Sequence, residues 1–200
     1  MSGFQTILEI HQSISINNRR VIGQQISRSG QMTVAEYLTS VPWVFTVKPH
    51  NYLYYPEVRD IIQSIDNYDR QLVDYLSFDT PNLEWFVKMQ GTATAATLAA
   101  TPSTNSQVLN VTSNGTFKAG DFIQIGLYVY KVTADSTGSI VYINRPVIGT
   151  PQSGDTITLG KDVAFRVVAE SCPTYTLTPM TDGAFVAWDG DFVFREYITG

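Results

Sequence analysis

Two stretches decide the fold, Gly120-Asp121-Phe122-Ile123-Gln124-Ile125-Gly126 and Gly154-Asp155-Thr156-Ile157-Thr158-Leu159-Gly160. In each copy a Gly-Asp turn precedes a short alternating strand, and a second glycine ends that strand. Glycine supplies positive φ and aspartate bonds its own backbone, so this order predicts a turn leading into a strand. An aromatic strand follows each copy, at 128–132 and 164–168, and another strand, 139–146, lies between them. These segments predict a small closed β-barrel or a compact sandwich of about five or six strands.

The chain before the barrel predicts strands and one short helix. Alternation indicates a strand over 7–16, with 19–28 as its returning hairpin partner, and further strands over 43–49 and 83–89. Pro56 and Glu57 suit a first helical turn, since proline is tolerated there and the helix dipole favours an anion.

Apolar residues then recur at helical spacing, which predicts a helix over Glu57–Ile65. The segment 32–38 is either a strand or a helical turn. The segment 68–78 is a helix or an extended strand, and the strand is favoured.

From Gly91 to Ser106 the chain is almost wholly Thr, Ala, Ser, Pro and Gly, which predicts a linker or long loop. After the barrel, three short strands are predicted, with hairpin loops at 181–183 and 189–191. Three isolated strands do not fold alone. We therefore expect one discontinuous domain, residues 1–90 plus 166–200, with the barrel of 91–165 inserted in one of its loops.

Composition argues against several classes of protein. A net charge of −5 and a pI near 4.9 disfavour a general nucleic-acid binder. No apolar run approaches the roughly 20 residues of a membrane helix, and Met1–Gln5 has no secretory signal. Cys172 is the single cysteine and there are two histidines, so neither a disulfide nor a metal or cofactor site is expected.

The sequence offers little for catalysis. No nucleophile, phosphate-loop, dinucleotide or zinc signature is present. Asp182, Asp189 and Asp191 have the chemistry to hold Ca²⁺ or to serve as a glycosidase pair, but at hairpin tips such residues are far more often turn formers. We expect a protein that is not an enzyme.

Six residues are candidates for an assembly interface. Aromatic side chains are favoured anchors of interfaces, with core packing as the alternative, and a pair of arginines beside a turn suits acidic residues of a neighbouring subunit as well as solvent. The candidates are Arg19, Arg20, Trp43, Tyr52, Tyr54 and Tyr55.

Several of these segments resemble structural proteins of bacteriophage tails. The run 19–24 with 29–31, and Pro42–Phe45, is similar to the N-terminal half of distal tail proteins and of the baseplate adaptor called the ripcord. The ending 188–196 resembles their last hairpin and strand, and the barrel around 119–126 resembles their accessory domain.

The resemblance implies a mainly β fold with one short helix, a tail-tube-like β-sandwich with an inserted small β-barrel domain. It implies a ring, expected to be a hexamer, that joins the tail tube to the tip or baseplate hub and lets DNA pass through its lumen. The protein would then be part of the virion tail, assembled in the bacterial cytoplasm. An acidic lining repels phosphate and suits such a conduit.

An alternative function is a host-surface glycan-binding module. In that case the barrel would hold a sugar, and Tyr128, Tyr130 and Tyr142 would stack on its rings. Core packing explains the same tyrosines.

Overall fold

The computed structural model describes residues 3–19, 22–26, 32–36, 40–68, 73–136 and 139–199. The fold is mainly β with one α-helix and strongly curled, sandwich-like sheets, as predicted. Of the segments discussed above, residues 1–2, 20–21 (including the candidate Arg20), 27–31, 37–38 and 69–72 lie outside the described residues.

Sixteen strands make up the described structure, and their bounds in chain order are β1 His11–Asn17, β2 Ile22–Ile26, β3 Met32–Glu36, β4 Val44–Pro49, β5 Leu53–Tyr54, β6 Asp74–Ser77, β7 Ala96–Leu98, β8 Val108–Ser113, β9 Phe122–Ile125, β10 Tyr128–Lys131, β11 Ile140–Tyr142, β12 Thr156–Leu159, β13 Ala164–Ser171, β14 Tyr175–Met180, β15 Gly183–Trp188 and β16 Phe192–Glu196. They form four sheets, ordered β1-β4-β16-β13-β6, β10-β9-β12-β7-β8-β11, β14-β15-β5 and β2-β3. Short 3₁₀ helices span Gly3–Ile10, Glu84–Phe86 and Gly160–Asp162.

Backbone contacts divide the chain into two compact units. The first comprises 1–17, 42–77 and 164–199, and the second comprises 18–41 and 78–163. Residues 18–41 and 78–90 thus group with the barrel, whereas the sequence suggested boundaries at 90 and 166. The first unit is discontinuous and includes strands from both ends of the chain.

The core of the first unit lies on one face of the five-stranded sheet. Phe45 and Phe194 occupy paired positions on β4 and β16, and both are fully buried. The ring of Phe165 on β13 meets the Phe45 ring edge-on at 4.8 Å between centroids. Buried and less buried residues alternate along β4 and β16, as expected for strands with one face in the core. The sheet is therefore held by a layer of aromatic rings.

The α-helix, α1, spans Tyr55–Tyr68, longer than the predicted Glu57–Ile65 but at the same place. Ile62 and Ile65 are buried, and the helix packs against the first 3₁₀ helix and β15. The helical spacing of the apolar residues thus predicted correctly which face of α1 is buried.

The six-stranded sheet curls until its two outer strands meet. Val132, just after β10, forms an antiparallel bridge with Ile143, just after β11. The N–H of Thr133 donates to the carbonyl of Tyr142 at 2.9 Å, and the N–H of Asn144 donates to the carbonyl of Lys131 at 3.0 Å. The predicted barrel is thus present, with six strands.

The two Gly-Asp turns have matching geometry. Gly120 and Gly154 have φ of 103° and 93°, a conformation open to glycine. The side chains of Asp121 and Asp155 each accept the backbone N–H of the residue three places earlier, at 2.8 Å in both turns. The sequence repeat is therefore also a repeat of structure.

The barrel pairs equivalent residues of the repeat with each other. On β9 and β12, Gln124 lies opposite Thr158, which holds the same place in the second copy. On the opposite part of the barrel, Leu109 of β8 lies opposite Val141 of β11. A pseudo-two-fold axis passing through both pairs relates β7, β8 and β9 to β10, β11 and β12.

Backbone hydrogen bonds elsewhere in the barrel obey the same symmetry. The N–H of Leu98 donates to the carbonyl of Asp155 at 2.9 Å, and the equivalent N–H of Val132 donates to the carbonyl of Asp121 at 2.8 Å. The repeated unit is therefore a strand, a strand, a Gly-Asp turn and a strand. The aromatic strand predicted after the second copy is present as β13, but it belongs to the five-stranded sheet, so the equivalent of β10 in the repeat is β7.

Three local predictions before the barrel were wrong. The strand at 11–17 pairs with β4, and β2 pairs with β3, so 7–16 and 19–28 do not form a hairpin. Residues 84–86 form a 3₁₀ helix where a strand was predicted over 83–89. The Thr/Ala-rich segment 91–106 contains β7, which lies inside the barrel sheet. The open alternatives resolve as strands, β3 at 32–36 and β6 at 74–77.

The hairpin predicted at 189–191 was also wrong. β15 and β16 lie in different sheets, so the Asp-Gly-Asp loop crosses from one to the other. Trp188 and Phe192, on either side of the loop, are in edge-to-face contact at 5.1 Å. The two-residue hairpin at Thr181-Asp182 is present, between β14 and β15.

Candidate assembly surfaces

The four aromatic candidates occupy different environments. Trp43 is buried, and its ring meets Phe165 edge-on at 5.6 Å. Tyr54 is half-buried, and its hydroxyl donates to the carbonyl of Asp182 at 2.7 Å. Tyr55 begins α1 and is half-buried.

Tyr52 is the exception, with 74% of its surface exposed and a backbone φ of 64°. Positive φ is uncommon for a bulky residue. Of the four aromatic candidates, Tyr52 is the one presented to solvent. Of the two arginines, Arg19 follows β1 and is exposed.

The acidic candidates at the loop tips act as turn and loop residues. A side-chain oxygen of Asp189 accepts the hydroxyl of Thr174 at 2.6 Å, and its N–H donates to the carbonyl of the same residue at 3.1 Å. Asp182 lies in the two-residue hairpin. Within the described residues, no three His, Cys, Asp or Glu side chains come together as a metal site.

The tyrosines of the glycan hypothesis do not form a platform. Tyr130 is fully buried, its hydroxyl accepts the N–H of Ile148 at 2.9 Å, and Arg145 lies over its ring at 5.2 Å. Tyr128 is buried as well, and Tyr142 alone of the three is exposed. Tyr128 and Tyr130 are packing residues of the barrel, because both side chains are buried on β10.

Two sheets of the first unit end in outer strands that carry no charge. β1 is the outer strand of the five-stranded sheet, and β14 is the outer strand of the three-stranded sheet. Neither contains Asp, Glu, Lys or Arg, although 16% of the chain is charged. Monomeric proteins protect such edges with charges, prolines or covering segments, because an outer strand presents unpaired N–H and C=O groups to other chains.

β14 is the more exposed of the two strands. Residues 176–180 are all exposed, including the apolar side chains of Leu177 and Met180. Pro179 removes one donor near the end of the strand, so pairing along this edge is best over the first part of β14.

A cavity of about 270 Å³ lies at the beginning of β14. It is lined by Ile65, Asp66, Cys172, Pro173, Thr174, Tyr175 and Trp188. The rings of Tyr175 and Trp188 meet edge-on at 5.3 Å, and the Tyr175 hydroxyl lies 3.4 Å from a carboxylate oxygen of Asp66. Burial raises the pKa of the Tyr175 phenol, and the nearby Asp66 carboxylate raises it further.

One polar atom of Trp188, a residue that lines this cavity, has no hydrogen-bond partner in the described part of the chain. The indole Nε1–H of Trp188 is buried and meets no hydrogen-bond acceptor there. A buried donor without an acceptor costs about 1–3 kcal/mol, so such groups are rare in folded proteins. Sequence reasoning missed this cavity, because its residues come from three distant segments and carry no motif.

No protein-family model matches the chain, and no curated protein is significantly similar to it. Among the helices in the described ranges, none has the length and apolar character needed to cross a membrane.

Proposed function

We propose that this chain is a structural component of a bacteriophage tail. It would form a ring, expected to contain six copies, that joins the tail tube to the tip or baseplate hub around the DNA channel. The partners would be copies of itself, the tail tube protein and the hub protein, without specific binding to nucleic acid. Its location would be the virion tail, after assembly in the bacterial cytoplasm.

The observation that carries the proposal is the pair of uncharged outer strands, β1 and β14. Pairing between copies satisfies their open backbone groups and covers Leu177 and Met180. Two different edges on one chain allow head-to-tail contacts, and such contacts close into a ring when the rotation between copies permits it. The acidic composition suits a conduit through which a polyanion slides.

The proposal is tested by self-association of the purified chain. We expect mass photometry and negative-stain microscopy to show rings that form with increasing concentration. Leu177→Lys places a charge on the β14 edge and should reduce ring formation. Val108→Lys is the matched control, because the exposed fraction of Val108, 40%, is close to the 39% of Leu177. Val108 lies on β8, which is paired with a strand on each side and is not an outer strand.

Rings that form equally well with Leu177→Lys would exclude β14 as the contact. A wild-type chain that stays monomeric at every concentration would contradict the assembly function itself. The glycan-binding alternative is not favoured by any described feature, since Tyr128 and Tyr130 are buried.

A further inference from the structure

We infer that the cavity at the beginning of β14 is a binding pocket for an arginine side chain carried by an extended segment of a second copy. This inference rests on the proposed assembly function and names the contact that would make it specific. In strand addition, backbone hydrogen bonds supply affinity and side-chain pockets supply specificity.

The chemistry of the cavity suits a guanidinium group. Asp66 contributes a carboxylate, and Tyr175 and Trp188 contribute two aromatic rings. A carboxylate pairs with the planar fork of arginine, and aromatic rings attract a cation through their π faces. Asp66 is exposed, so it is accessible to an incoming side chain.

The buried Nε1–H of the half-buried Trp188 calls for a different group from the same ligand. Its Nε1–H is a donor, and in the described residues it meets no acceptor. A backbone carbonyl next to the arginine supplies one. The pocket therefore offers an acceptor for the side chain of a basic residue in an extended peptide, and a shift of the Trp188 ring on binding would present its buried donor to the main chain of the same residue.

This chain contains a segment that meets the requirement. β1 is also an uncharged outer strand, and the exposed Arg19 follows it by two residues. If β1 of a second copy pairs antiparallel with β14, the end of β1 lies opposite Tyr175, which begins β14. Arg19 of that copy then lies beside residues 172–174, in the wall of the cavity.

Charge reversal tests the pairing. We expect Asp66→Lys and Arg19→Glu each to weaken self-association by about tenfold, and the double variant to recover most of the loss. Asp60→Lys is the matched control, because Asp60 is an exposed acid on the same helix that does not line the cavity. Circular dichroism confirms that each variant is folded.

Trp188→Phe tests the indole separately. It removes the buried donor while keeping an aromatic ring, so the folded monomer should not lose a hydrogen bond, whereas assembly should weaken. Trp85→Phe is its control, since Trp85 is exposed and donates to the carbonyl of Asn82 at 2.8 Å. Trp188→Phe assembling as well as the wild type would remove the indole from the proposal.

The single cysteine provides a direct proximity test. Cys172 lines the cavity and is the single cysteine of the chain. In an Arg19→Cys variant, mild oxidation with copper phenanthroline should join the introduced thiol of one copy to Cys172 of the next and give a ladder of covalent multimers. Val108→Cys should give no ladder.

The outcomes separate the pocket from the proposed function. Suppose that the wild type forms rings, that Asp66→Lys assembles as well as the wild type, and that Arg19→Cys gives no covalent ladder. These results would overturn the proposed pocket but leave the proposed ring intact. A wild-type chain without self-association would overturn both. A covalent product that stops at the dimer would also overturn the pocket as described, because head-to-tail pairing continues beyond two copies.

Discussion

Glu196 and Trp43 exchange two hydrogen bonds across the edge of the aromatic core. The carboxylate of Glu196 accepts the N–H of Trp43 at 3.1 Å, and the N–H of Glu196 donates to the carbonyl of Trp43 at 2.7 Å. Both side chains are buried. The last strand of the chain is thereby fixed to the residue that precedes β4.

Removing this carboxylate should destabilise the first unit. Glu196→Ala leaves the buried N–H of Trp43 without that acceptor, and we expect a loss of about 1–3 kcal/mol in the free energy of unfolding. Glu196→Gln retains an oxygen acceptor and should lose less. Urea denaturation followed by tryptophan fluorescence measures both, and equal stability of Glu196→Ala and the wild type would contradict the expectation.

The two equivalent aspartates of the barrel, Asp121 and Asp155, should contribute differently to its stability. The buried carboxylate of Asp121 accepts three backbone N–H groups, those of Gln90, Gly91 and Lys118, at 2.6, 3.1 and 2.8 Å. We expect Asp121→Ala to cost at least about 2 kcal/mol, because three donors lose a charged acceptor.

Asp155→Ala is the matched control for that change. Asp155 is exposed and accepts the single N–H of Gln152 in its turn, so we expect its loss to cost less than about 1 kcal/mol. Thermal unfolding of the two variants compares them directly. A larger loss of stability for Asp155→Ala than for Asp121→Ala would mean that the hydrogen bonds from Gln90 and Gly91 to Asp121 contribute little.

A surface ion pair should make a small part of the stability depend on pH. Asp135 lies 2.6 Å from the ammonium group of Lys118 and also accepts the N–H of Ala119 at 3.0 Å. The hydrogen bond from Lys118, followed by that from Ala119, holds the pKa of Asp135 below its ordinary value. The stabilisation is therefore present above the ordinary pKa and is lost as the pH falls through the lowered one.

The symmetry of the barrel supplies the test variant for this pair. At the equivalent place in the other half, the hydroxyl of Thr101 accepts the N–H of Ser153 at 3.1 Å. Asp135→Thr should therefore keep an acceptor for Ala119 and remove the ion pair. Its melting temperature should fall below that of the wild type near neutral pH and converge with it near about pH 2. A difference in melting temperature that stays constant with pH would show that the ion pair is not its cause.

The carboxylate of Asp66 should influence the titration of Tyr175. After burial, the charge of Asp66 is the next cause that raises the pKa of this phenol. Asp66→Asn should therefore lower the pKa of Tyr175 toward its ordinary value of about 10. Spectrophotometric titration of each protein is repeated with Tyr175→Phe added, and the difference between the two curves gives the titration of the Tyr175 phenol alone. An unchanged midpoint would show that Asp66 does not act on it.

Local patterns in the sequence predicted those parts of the fold that depend on local physics. The Gly-Asp turns require positive φ at Gly120 and Gly154, and the apolar spacing of α1 places Ile62 and Ile65 in the core. These features depend on a few neighbouring residues.

Strand partners were harder to predict, because the competing partners lie far apart in the chain. Alternation indicates that 11–17 is a strand, but not that it pairs with β4 instead of β2. The Asp-Gly-Asp segment has the composition of a hairpin, yet Phe192 and Phe194 pair with β4, which places β16 in another sheet. The cavity beside Trp188 is lined by residues from three distant segments, so no short stretch of the sequence contains all of them.

The pseudo-two-fold barrel has the architecture of a fused dimer. Two separate three-stranded units would come apart on dilution, whereas here a short connection through Gly126 and Leu127 keeps β9 next to β10. Covalent linkage turns an encounter between two molecules into an event within one, with an effective concentration set by the connection. The melting of this part of the molecule should therefore not change with protein concentration, even where association between whole chains does.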